Sequence, residues 1–294
     1  MLERVLGYAD AVIEDLGPDI ARAAGELEAF VQLLAGSDDL RGVLEGSNVA
    51  LPVRRNIVRQ LLEERVMSPV VAVLSFAVQS GAGANYREDV AGVAAAAAAK
   101  RDGMVRQDEG PLGRSSAGER LDGYATAVLA GSDQERLGEV EDELFRFMRT
   151  VDGNDELLTA LTTAELPAAV RESIVGDLLS SRATPESVRM ARYAARVGRP
   201  RDYLVLLDAL VQRVAQEADR RVADVRSAVE LSPDQEERLA AAISRVTGYR
   251  VELRVTIEPD LLGGFVAYVG DTVLDASLRQ RVQQAREVFL SPPG

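Results

Sequence analysis

The sequence contains no histidine, cysteine or tryptophan among its 294 residues. Without histidine there is no imidazole base and no histidine metal ligand, and without cysteine there is no thiolate nucleophile, zinc ribbon or disulfide. Any catalysis would have to rely on carboxylates, lysine, serine or tyrosine. Long apolar runs are also missing: the longest, residues 70–78 and 91–99, have about nine residues, whereas a membrane-spanning helix needs about 20. The sequence therefore predicts no direct membrane insertion.

Positive charge is also scarce, because 34 lysines and arginines stand against 47 aspartates and glutamates, which leaves a net charge of −13. Phosphate recognition requires clustered positive charge, and an anionic lipid surface repels a protein of this sign. The composition therefore argues against nucleic acid and anionic lipid as partners. The N-terminal segment carries Glu3, Arg4 and Asp10 and lacks the basic stretch and apolar core of a signal peptide. We expect the protein to remain in the cytoplasm.

The chain repeats itself at a spacing of 116 to 117 residues. The clearest match pairs Gly7-Tyr8-Ala9 with Gly123-Tyr124-Ala125. The same register continues along both copies through the pairs Glu26 and Glu143, Phe30 and Phe147, Arg54 and Arg171, Ile57 and Ile174, and Tyr86 and Tyr203. A self-similarity of this length indicates a duplication of about 100 residues.

Each copy has the apolar period of amphipathic helices. In the second copy, Leu137, Val140, Leu144 and Phe147 recur at spacings of three and four residues, and the pattern breaks at the Asp-Gly-Asn of residues 152–154. Shorter helical segments follow, and the first copy shows the same order. The pattern predicts about six helices in each copy.

The segment between the copies is dense in glycine, proline, serine and charge, which is typical of a linker. It would let two helical bundles sit at different angles. The predicted organisation of this part is a first helical bundle at residues 1–102, a linker at residues 103–119 and a second helical bundle at residues 120–219.

After residue 219 the apolar period changes from helical to alternating. Val251, Leu253, Val255 and Ile257 alternate with polar residues, which indicates a half-buried strand. The other predicted segments are a strand at 222–228, a helix at 233–247 with the capping box Ser232 to Gln235, a hairpin of 265–269 with 272–274, and a closing helix after Ser277. The predicted fold class is therefore mostly α: two tandem helical bundles followed by a small C-terminal β/α domain at residues 220–294.

Two groups of residues suggest chemistry but are better explained by structure. The acids Glu139, Glu141, Asp142 and Glu143 lie on a helix whose buried stripe is formed by other residues, Val140 and Leu144 among them. Most of these carboxylates are therefore expected to face water, where isolated carboxylates bind divalent ions poorly. Gly263, Gly264 and Gly270 lack the spacing of a phosphate-binding loop and precede a strand, which favours a role at the hairpin entry. We predict no catalytic, metal or cofactor site and no enzymatic activity.

The C-terminal segment resembles a known family. Residues 259–264 end in Gly263-Gly264, residues 269–271 read Val-Gly-Asp, and residues 273–277 read Val-Leu-Asp-Ala-Ser before Arg281. In this order the motifs resemble the C-terminal signature of the delta subunit family of bacterial F-type ATP synthases, which is related to the mitochondrial oligomycin-sensitivity-conferring subunit.

The rest of the second copy resembles the same family. Tyr124-Ala125 with Val128 is similar to the family's N-terminal opening, and residues 141–147 are similar to a stretch of its actinobacterial branch. The likeness runs continuously over residues 120–289, so the first copy is a duplicate of the N-terminal helical domain.

The resemblance implies a mechanical role without catalysis. In this family the helical bundle binds the amphipathic N-terminal helices of the alpha subunits, and the C-terminal part holds the b-type stalk, so the catalytic head does not turn with the rotor. It implies a peripheral-stalk (stator) subunit in a hetero-oligomeric complex at the cytoplasmic face of the bacterial plasma membrane. Some actinobacterial relatives carry a fused membrane-anchored stalk segment; this sequence shows none, so we expect the stalk helices on separate chains.

The resemblance also implies which residues contact the partners. The alpha-subunit helix would lie in a groove between the first and fifth helices of each copy, lined by Tyr8, Val12, Val73 and Phe76 in the first copy and by Tyr124, Val128, Met190 and Tyr193 in the second. For any single one of these residues, core packing is the more frequent role. The motif residues expected to shape the C-terminal domain are Gly263, Gly264, Gly270, Asp271, Asp275, Ser277 and Arg281.

Two other classes of function stay open at this point. One is a free cytosolic helical-repeat adaptor with unrelated partners, and the other is an enzyme with a carboxylate or lysine site that the residue spacing does not reveal. Co-purification with synthase subunits distinguishes the stalk subunit from both.

Overall fold

The computed structural model describes residues 2–46, 49–80, 85–104, 111–218, 220–247, 249–259, 261, 263–269 and 272–276. These residues form thirteen α-helices and a four-stranded β-sheet near the C terminus. The chain divides into two compact units, Met1–Ala215 and Gln216–Gly294. The prediction of a mostly α protein with a small C-terminal sheet is confirmed.

The first unit contains two sets of helices in the same order. We call the first set repeat one; its helices are α1 Leu2–Asp15, α2 Ile20–Gly36, α3 Asp38–Glu45, α4 Leu51–Leu62, α5 Ser68–Ser80 and α6 Tyr86–Arg101. We call the second set repeat two; its helices are α7 Arg114–Val128, α8 Gln134–Asp152, α9 Asp155–Thr162, α10 Ala168–Leu179, α11 Pro185–Val197 and α12 Tyr203–Ala218.

Polar residues at equivalent positions begin the same helices in both repeats. The Ser37 hydroxyl accepts a hydrogen bond from Leu40 N at the start of α3, and the Asn154 side chain accepts one from Leu157 N at the start of α9. Such caps satisfy backbone N–H groups that lack a partner within the helix. Thr184, which directly precedes the first-turn proline Pro185, caps α11 in this way.

Buried polar side chains are also repeated. Arg54 and Arg171 are both buried and donate hydrogen bonds to backbone carbonyls. The Tyr86 hydroxyl donates to Leu74 O, and the Tyr203 hydroxyl donates to Ala191 O, each at 3.2 Å. Because the two acceptor positions are themselves 117 residues apart, the structure shows the duplication directly, in bonds as well as in residue types.

Repeat one has a core of its own. Its buried side chains come from all six helices and include Leu6 on α1, Phe30 on α2 and Val90 on α6. Burial of an apolar side chain of this size stabilises a fold by roughly 1.5–3 kcal/mol. The alanine-rich part of α6 lies in this core, with Ala94, Ala96 and Ala97 buried, so small side chains let neighbouring helices approach.

The described residues of the C-terminal unit form a sheet and a helix. Its elements are β1 Arg220–Ser227, α13 Pro233–Thr247, β2 Arg250–Ile257, β3 Phe265–Val269 and β4 Thr272–Asp275. The strand order is β2-β1-β3-β4, with β1 parallel to β2 and the other pairs antiparallel. The predicted capping box is present, because Gln235 N donates to Ser232 Oγ and Ser232 N donates to Gln235 Oε1.

One predicted boundary, the end of the linker, differs from the structure, and one predicted helix lies outside the described residues. Helix α7 begins at Arg114, so residues 114–119 of the predicted linker are helical. The reason lies in long-range contacts: Leu112 N donates to Val197 O, and Arg114 pairs with the buried Asp202 at 2.9 Å. The predicted closing helix after Ser277 lies outside the described residues. Within the described residues, no helix combines the length and apolar character needed to cross a membrane.

One acid of the run on α8, Glu143, does not have the fully solvated position expected for most of the run. Glu143 does not face only water, because its Oε2 accepts hydrogen bonds from Thr184 N at 2.9 Å, Thr184 Oγ1 at 2.7 Å and Ser187 Oγ at 2.7 Å. Burial would raise the pKa of the Glu143 carboxyl, but these hydrogen bonds outweigh it and lower the pKa below its ordinary value. The equivalent Glu26 accepts a hydrogen bond from Met67 N. In both repeats a carboxylate of the second helix fixes the start of the fifth.

Glu143→Gln is expected to lower the free energy of unfolding at pH 7 by about 1–3 kcal/mol, because charged hydrogen bonds to Thr184 and Ser187 are replaced by neutral ones. Because the pKa of Glu143 is lower in the folded chain than in the unfolded chain, its carboxylate stabilises the fold at pH values above the ordinary carboxyl pKa of about 4.3. This stabilisation disappears as the pH falls through the folded-state pKa of Glu143. The variant should therefore lose less stability than the unaltered chain on acidification below about pH 4.3. Chemical denaturation at several pH values measures both effects.

The matched control is Glu139→Gln on the same helix, where the carboxylate is exposed and pairs only at the surface with Arg136 at 3.0 Å. Such pairs contribute roughly 0–1 kcal/mol. Equal stability losses in the two variants would contradict the structural role of Glu143.

Candidate partner-binding surface

The first helices of the two repeats meet at a pair of glycines. A Cβ atom on Gly7 would lie 1.8 Å from the carbonyl oxygen of Arg120, and a Cβ on Gly123 would lie 1.8 Å from the carbonyl oxygen of Arg4. Only glycine allows two backbones to approach so closely. Gly7 and Gly123 are equivalent positions, as are Arg4 and Arg120, so the contact is reciprocal, like an interface between two copies related by a twofold axis.

Charged side chains surround this glycine contact. Arg120 is 2% exposed, and its guanidinium lies 3.1 Å from Glu3 and 3.4 Å from Asp10 of α1. A buried charge is stable only when partners compensate for the lost hydration. Asp122 of α7 pairs with Arg4 of α1 at 2.5 Å and with Arg213 of α12 at 2.7 Å. The contact between α1 and α7 is therefore built into the interior of the helical unit.

Helix α11 provides a second set of contacts to α1. The Tyr193 hydroxyl donates to Asp10 at 2.5 Å, Arg196 donates to Glu14 at 2.7 Å, and Arg189 donates to Asp15 at 3.1 Å. Arg189 also donates to the carbonyl oxygen of Ala11 at 3.0 Å. Residues four and three positions apart share one face of a helix, so one face of α11 contacts α1.

The tyrosines of this surface stay protonated. Burial raises the pKa of the Tyr193 hydroxyl well above its ordinary value, and the Asp10 carboxylate raises it further. Burial likewise raises the pKa of Tyr124, whose hydroxyl donates to Glu14 at 2.5 Å. Both hydroxyls therefore remain hydrogen-bond donors to the carboxylates of α1 over the pH range of living cells.

Aromatic rings join the first and fifth helices of each repeat. Tyr8 stacks on Phe76 with ring centroids 4.0 Å apart, and Tyr124 stacks on Tyr193 at 3.8 Å. These four residues belong to the two grooves predicted to accept a partner helix. The first and fifth helices of each repeat are thus adjacent, and within each repeat the aromatic pair fills the space between them.

Most of the predicted groove residues are buried within the chain, namely Val73, Phe76, Tyr124, Met190 and Tyr193. Tyr8, Val12 and Val128 are partly exposed. In the free chain, five of these eight residues are therefore packed in the protein interior, as the core-packing alternative expects. In repeat two, the groove is not open to an external helix, because α1 contacts both α7 and α11.

The C-terminal motif residues are described in part. Gly263 and Gly264 have φ angles of 133° and 80° and directly precede β3. Such positive φ values favour glycine. Asp275 ends β4. Gly270, Asp271, Ser277 and Arg281 lie outside the described residues. Among the described residues, no group of three or more acidic side chains is arranged to hold a metal ion.

Sequence reasoning found the repeat but missed the contact between its copies. The available signal was Gly7 and Gly123 inside strongly helical segments, where glycine destabilises a helix by about 1 kcal/mol relative to alanine. A glycine retained at the same position of both copies indicates a close approach of another backbone. The carboxylates Asp10, Glu14 and Asp15 gave no comparable signal, because acidic residues are common on exposed helix faces.

Comparisons with known proteins agree with the motif resemblance. The family described as ATP synthase delta (OSCP) subunit matches residues 122–289. The chain is 33% identical to ATP synthase subunit delta of Kineococcus radiotolerans, over 94% of this chain and 91% of the relative. It is 30% identical to the subunit of the same name from Streptomyces avermitilis, over 96% of this chain and 93% of the relative. These alignments span both repeats.

A solved structure matches more weakly. A chain of the Toxoplasma gondii mitochondrial ATP synthase hexamer aligns with 60% of this chain and 98% of its own length, at 15% identity and a TM-score of 0.28. A similarity this low carries no structural argument.

Gly123→Ala is expected to lower the free energy of unfolding of the helical unit by about 1–3 kcal/mol, because the added methyl group overlaps the Arg4 carbonyl and forces α1 and α7 apart. The control is Gly118→Ala on the same helix, where a Cβ meets no atom within 4 Å. That change should stabilise the chain by about 1 kcal/mol through helix propensity. Chemical denaturation compares the two; a Gly123→Ala variant as stable as the control would rule out the close contact.

Proposed function

The chain belongs to the family of ATP synthase delta (OSCP) subunits, and from that membership we propose that it joins the alpha subunits of the catalytic head to the b-type stalk. It is a non-catalytic peripheral-stalk subunit of a hetero-oligomeric complex, and a peripheral component of the membrane-bound synthase. The observation that carries this function is the family match over residues 122–289, together with relatives named ATP synthase subunit delta that align over nearly their whole length. Family membership displaces the free adaptor and the enzyme as explanations.

The arrangement suited to this role is two helical bundles joined face to face and followed by a β/α domain. The core of repeat one, made of its own six helices, supports a separate bundle. The reciprocal contact of α1 with α7 supports a stiff connection between the bundles, since both lie in one compact unit. A stator resists torque, so a rigid joint serves it better than a flexible linker.

The head contact lies along the first and fifth helices, as the family resemblance implies. The groove of repeat one is the more accessible of the two, because Tyr8 is partly exposed, whereas its equivalent Tyr124 is buried and donates to Glu14 of α1. Repeat one thereby adds a contact surface to the second repeat and the β/α domain. Several modest contacts made by one chain raise its overall affinity for the complex by a factor of about 10²–10⁴ over a single contact.

The β/α domain, residues 220–294, holds the b-type stalk at the cytoplasmic face of the membrane. Its described residues expose apolar side chains that include Val229, Val246, Tyr249, Ile257 and Val273. Exposed apolar groups of this kind are frequent at protein interfaces. The net charge of −13 makes attachment through proteins more favourable than attachment to anionic lipid.

Co-purification tests the function. A tagged chain recovered from native membranes should bring down the alpha, beta and b subunits of the synthase. A variant without residues 222–294 should keep its helical content by circular dichroism, retain the alpha and beta subunits, and lose the b subunits. Recovery of the full chain without any synthase subunit would contradict the stalk function, and undiminished recovery of b by the shortened chain would contradict the assignment of stalk binding to the β/α domain.

A further inference from the structure

Strand β2 has a strand partner on one side only among the described residues. It is the outermost strand on its side of the sheet and pairs with β1. The N–H of Glu258, the residue after the strand, donates to Ser227 O of β1 at 2.8 Å. Because backbone groups of successive residues point to opposite sides of a strand, the N–H and C=O groups of Leu253, Val255 and Ile257 point away from the sheet.

This outer edge of β2 has few of the features that keep natural sheet edges apart. The strand has eight residues, runs in continuous register with β1, and contains no proline and no lysine. Natural edge strands are often short, bulged or rich in such residues, because unpaired backbone groups recruit another strand. Strand β4, at the other side of the sheet, has only four residues. Along β2, Val251 N is satisfied by Ser244 Oγ at 3.2 Å, so most of the edge is available to an added strand.

The side chains along this edge differ between the two faces of the sheet. On the face covered by α13, Val251, Leu253 and Val255 pack against the core of the unit. On the other face Arg254 is exposed and lies 3.5 Å from Asp224. Two exposed apolar side chains mark the ends of the edge on the α13 side, since Tyr249 is 43% and Ile257 is 52% exposed. An added strand would cover both ends if it were apolar on this face.

The sequence of β2 is complementary to itself when two copies run antiparallel. With Leu253 of one copy opposite Leu253 of the other, the register pairs residues whose numbers add to 506. Tyr249 then stands opposite Ile257, Val251 opposite Val255, and position 252, a glutamate, opposite Arg254. Aromatic with β-branched residues and opposite charges are favourable cross-strand pairs. A twofold axis through Leu253 makes each of these pairs twice.

We propose that the outer edge of β2 pairs antiparallel with the same edge of a second copy of this chain, which forms a dimer outside the synthase. The Leu253 N–H of each copy donates to Leu253 O of the other, and the Val255 N–H donates to Val251 O. Addition of a strand to a sheet edge is a common mode of protein recognition, in which main-chain hydrogen bonds give affinity and side chains give specificity. The dimer does not depend on the proposed stalk function.

The test is the mass of the purified full chain by sedimentation velocity. The chain should pass from monomer to dimer with rising concentration and be largely dimeric at about 100 μM, as expected for a micromolar dissociation constant. Arg254→Glu should raise the dissociation constant at least tenfold, because it places glutamates opposite each other at two positions. The matched control is Arg226→Glu, which reverses an exposed charge on the same face of β1, away from the edge. It should dimerise like the unaltered chain.

Exchange of the charges tests the register. Glu252→Arg alone should also raise the dissociation constant at least tenfold, since arginines then stand opposite each other. An equimolar mixture of the Arg254→Glu and Glu252→Arg chains should dimerise as tightly as the unaltered chain, because every glutamate again faces an arginine. A general loss of stability in the single variants would not be repaired by mixing.

A third variant serves if a charge variant loses ellipticity in the far-ultraviolet. Ile257→Ser removes the exposed side chain that faces Tyr249 of the other copy, and should raise the dissociation constant at least threefold. A monomer at every concentration of the unaltered chain would overturn the proposal. So would equal dimerisation of the Arg254→Glu chain and its control, or a mixture that stays monomeric. No synthase subunit is present, so these outcomes are separate from those of the co-purification experiment.

Discussion

The close contact between α1 and α7 is the interaction on which the helical part of the molecule depends. Two glycines at equivalent positions of a duplicated sequence bring two backbones together, and each faces the carbonyl oxygen of an arginine from the other copy. Around them, Arg120 is buried against acids of α1. Because the packing at this point admits no additional methyl group, the contact holds the repeats in one relative position and makes them one compact unit.

This constraint changes what the duplication means for a stalk subunit. A flexible linker between two bundles would give two independent attachment points, whereas a glycine-packed joint gives one stiff body. The contact also engages one face of α11, through Arg189, Tyr193 and Arg196. The two repeats are therefore unequal in structure: α11 of repeat two is engaged within the chain, whereas Tyr8 in the groove of repeat one is partly exposed.

Sequence patterns between residues that are close along the chain predicted local structure well. The capping box of Ser232 with Gln235 and the alternation in β2 were readable because the interacting residues are near neighbours. The repeat predicted the order of helices in both copies. The role of Glu143 was not predictable, because its partner Thr184 lies 41 residues away, and an acid on a helix face usually faces water. The contact of α1 with α7 was missed because a helical period shows that a face is buried, and not which of several helices covers it.

The most direct test of the account is the distance between the repeats in the free chain. Because the protein has no cysteine, spin labels can be placed at cysteines introduced at the exposed positions Leu33 and Phe145, on α2 and α8. Pulsed dipolar spectroscopy should give one narrow distance distribution, which broadens when Gly123→Ala is added. A broad distance distribution in the spin-labelled chain that stays the same when Gly123→Ala is added would contradict the claim that the glycine contact fixes the two repeats.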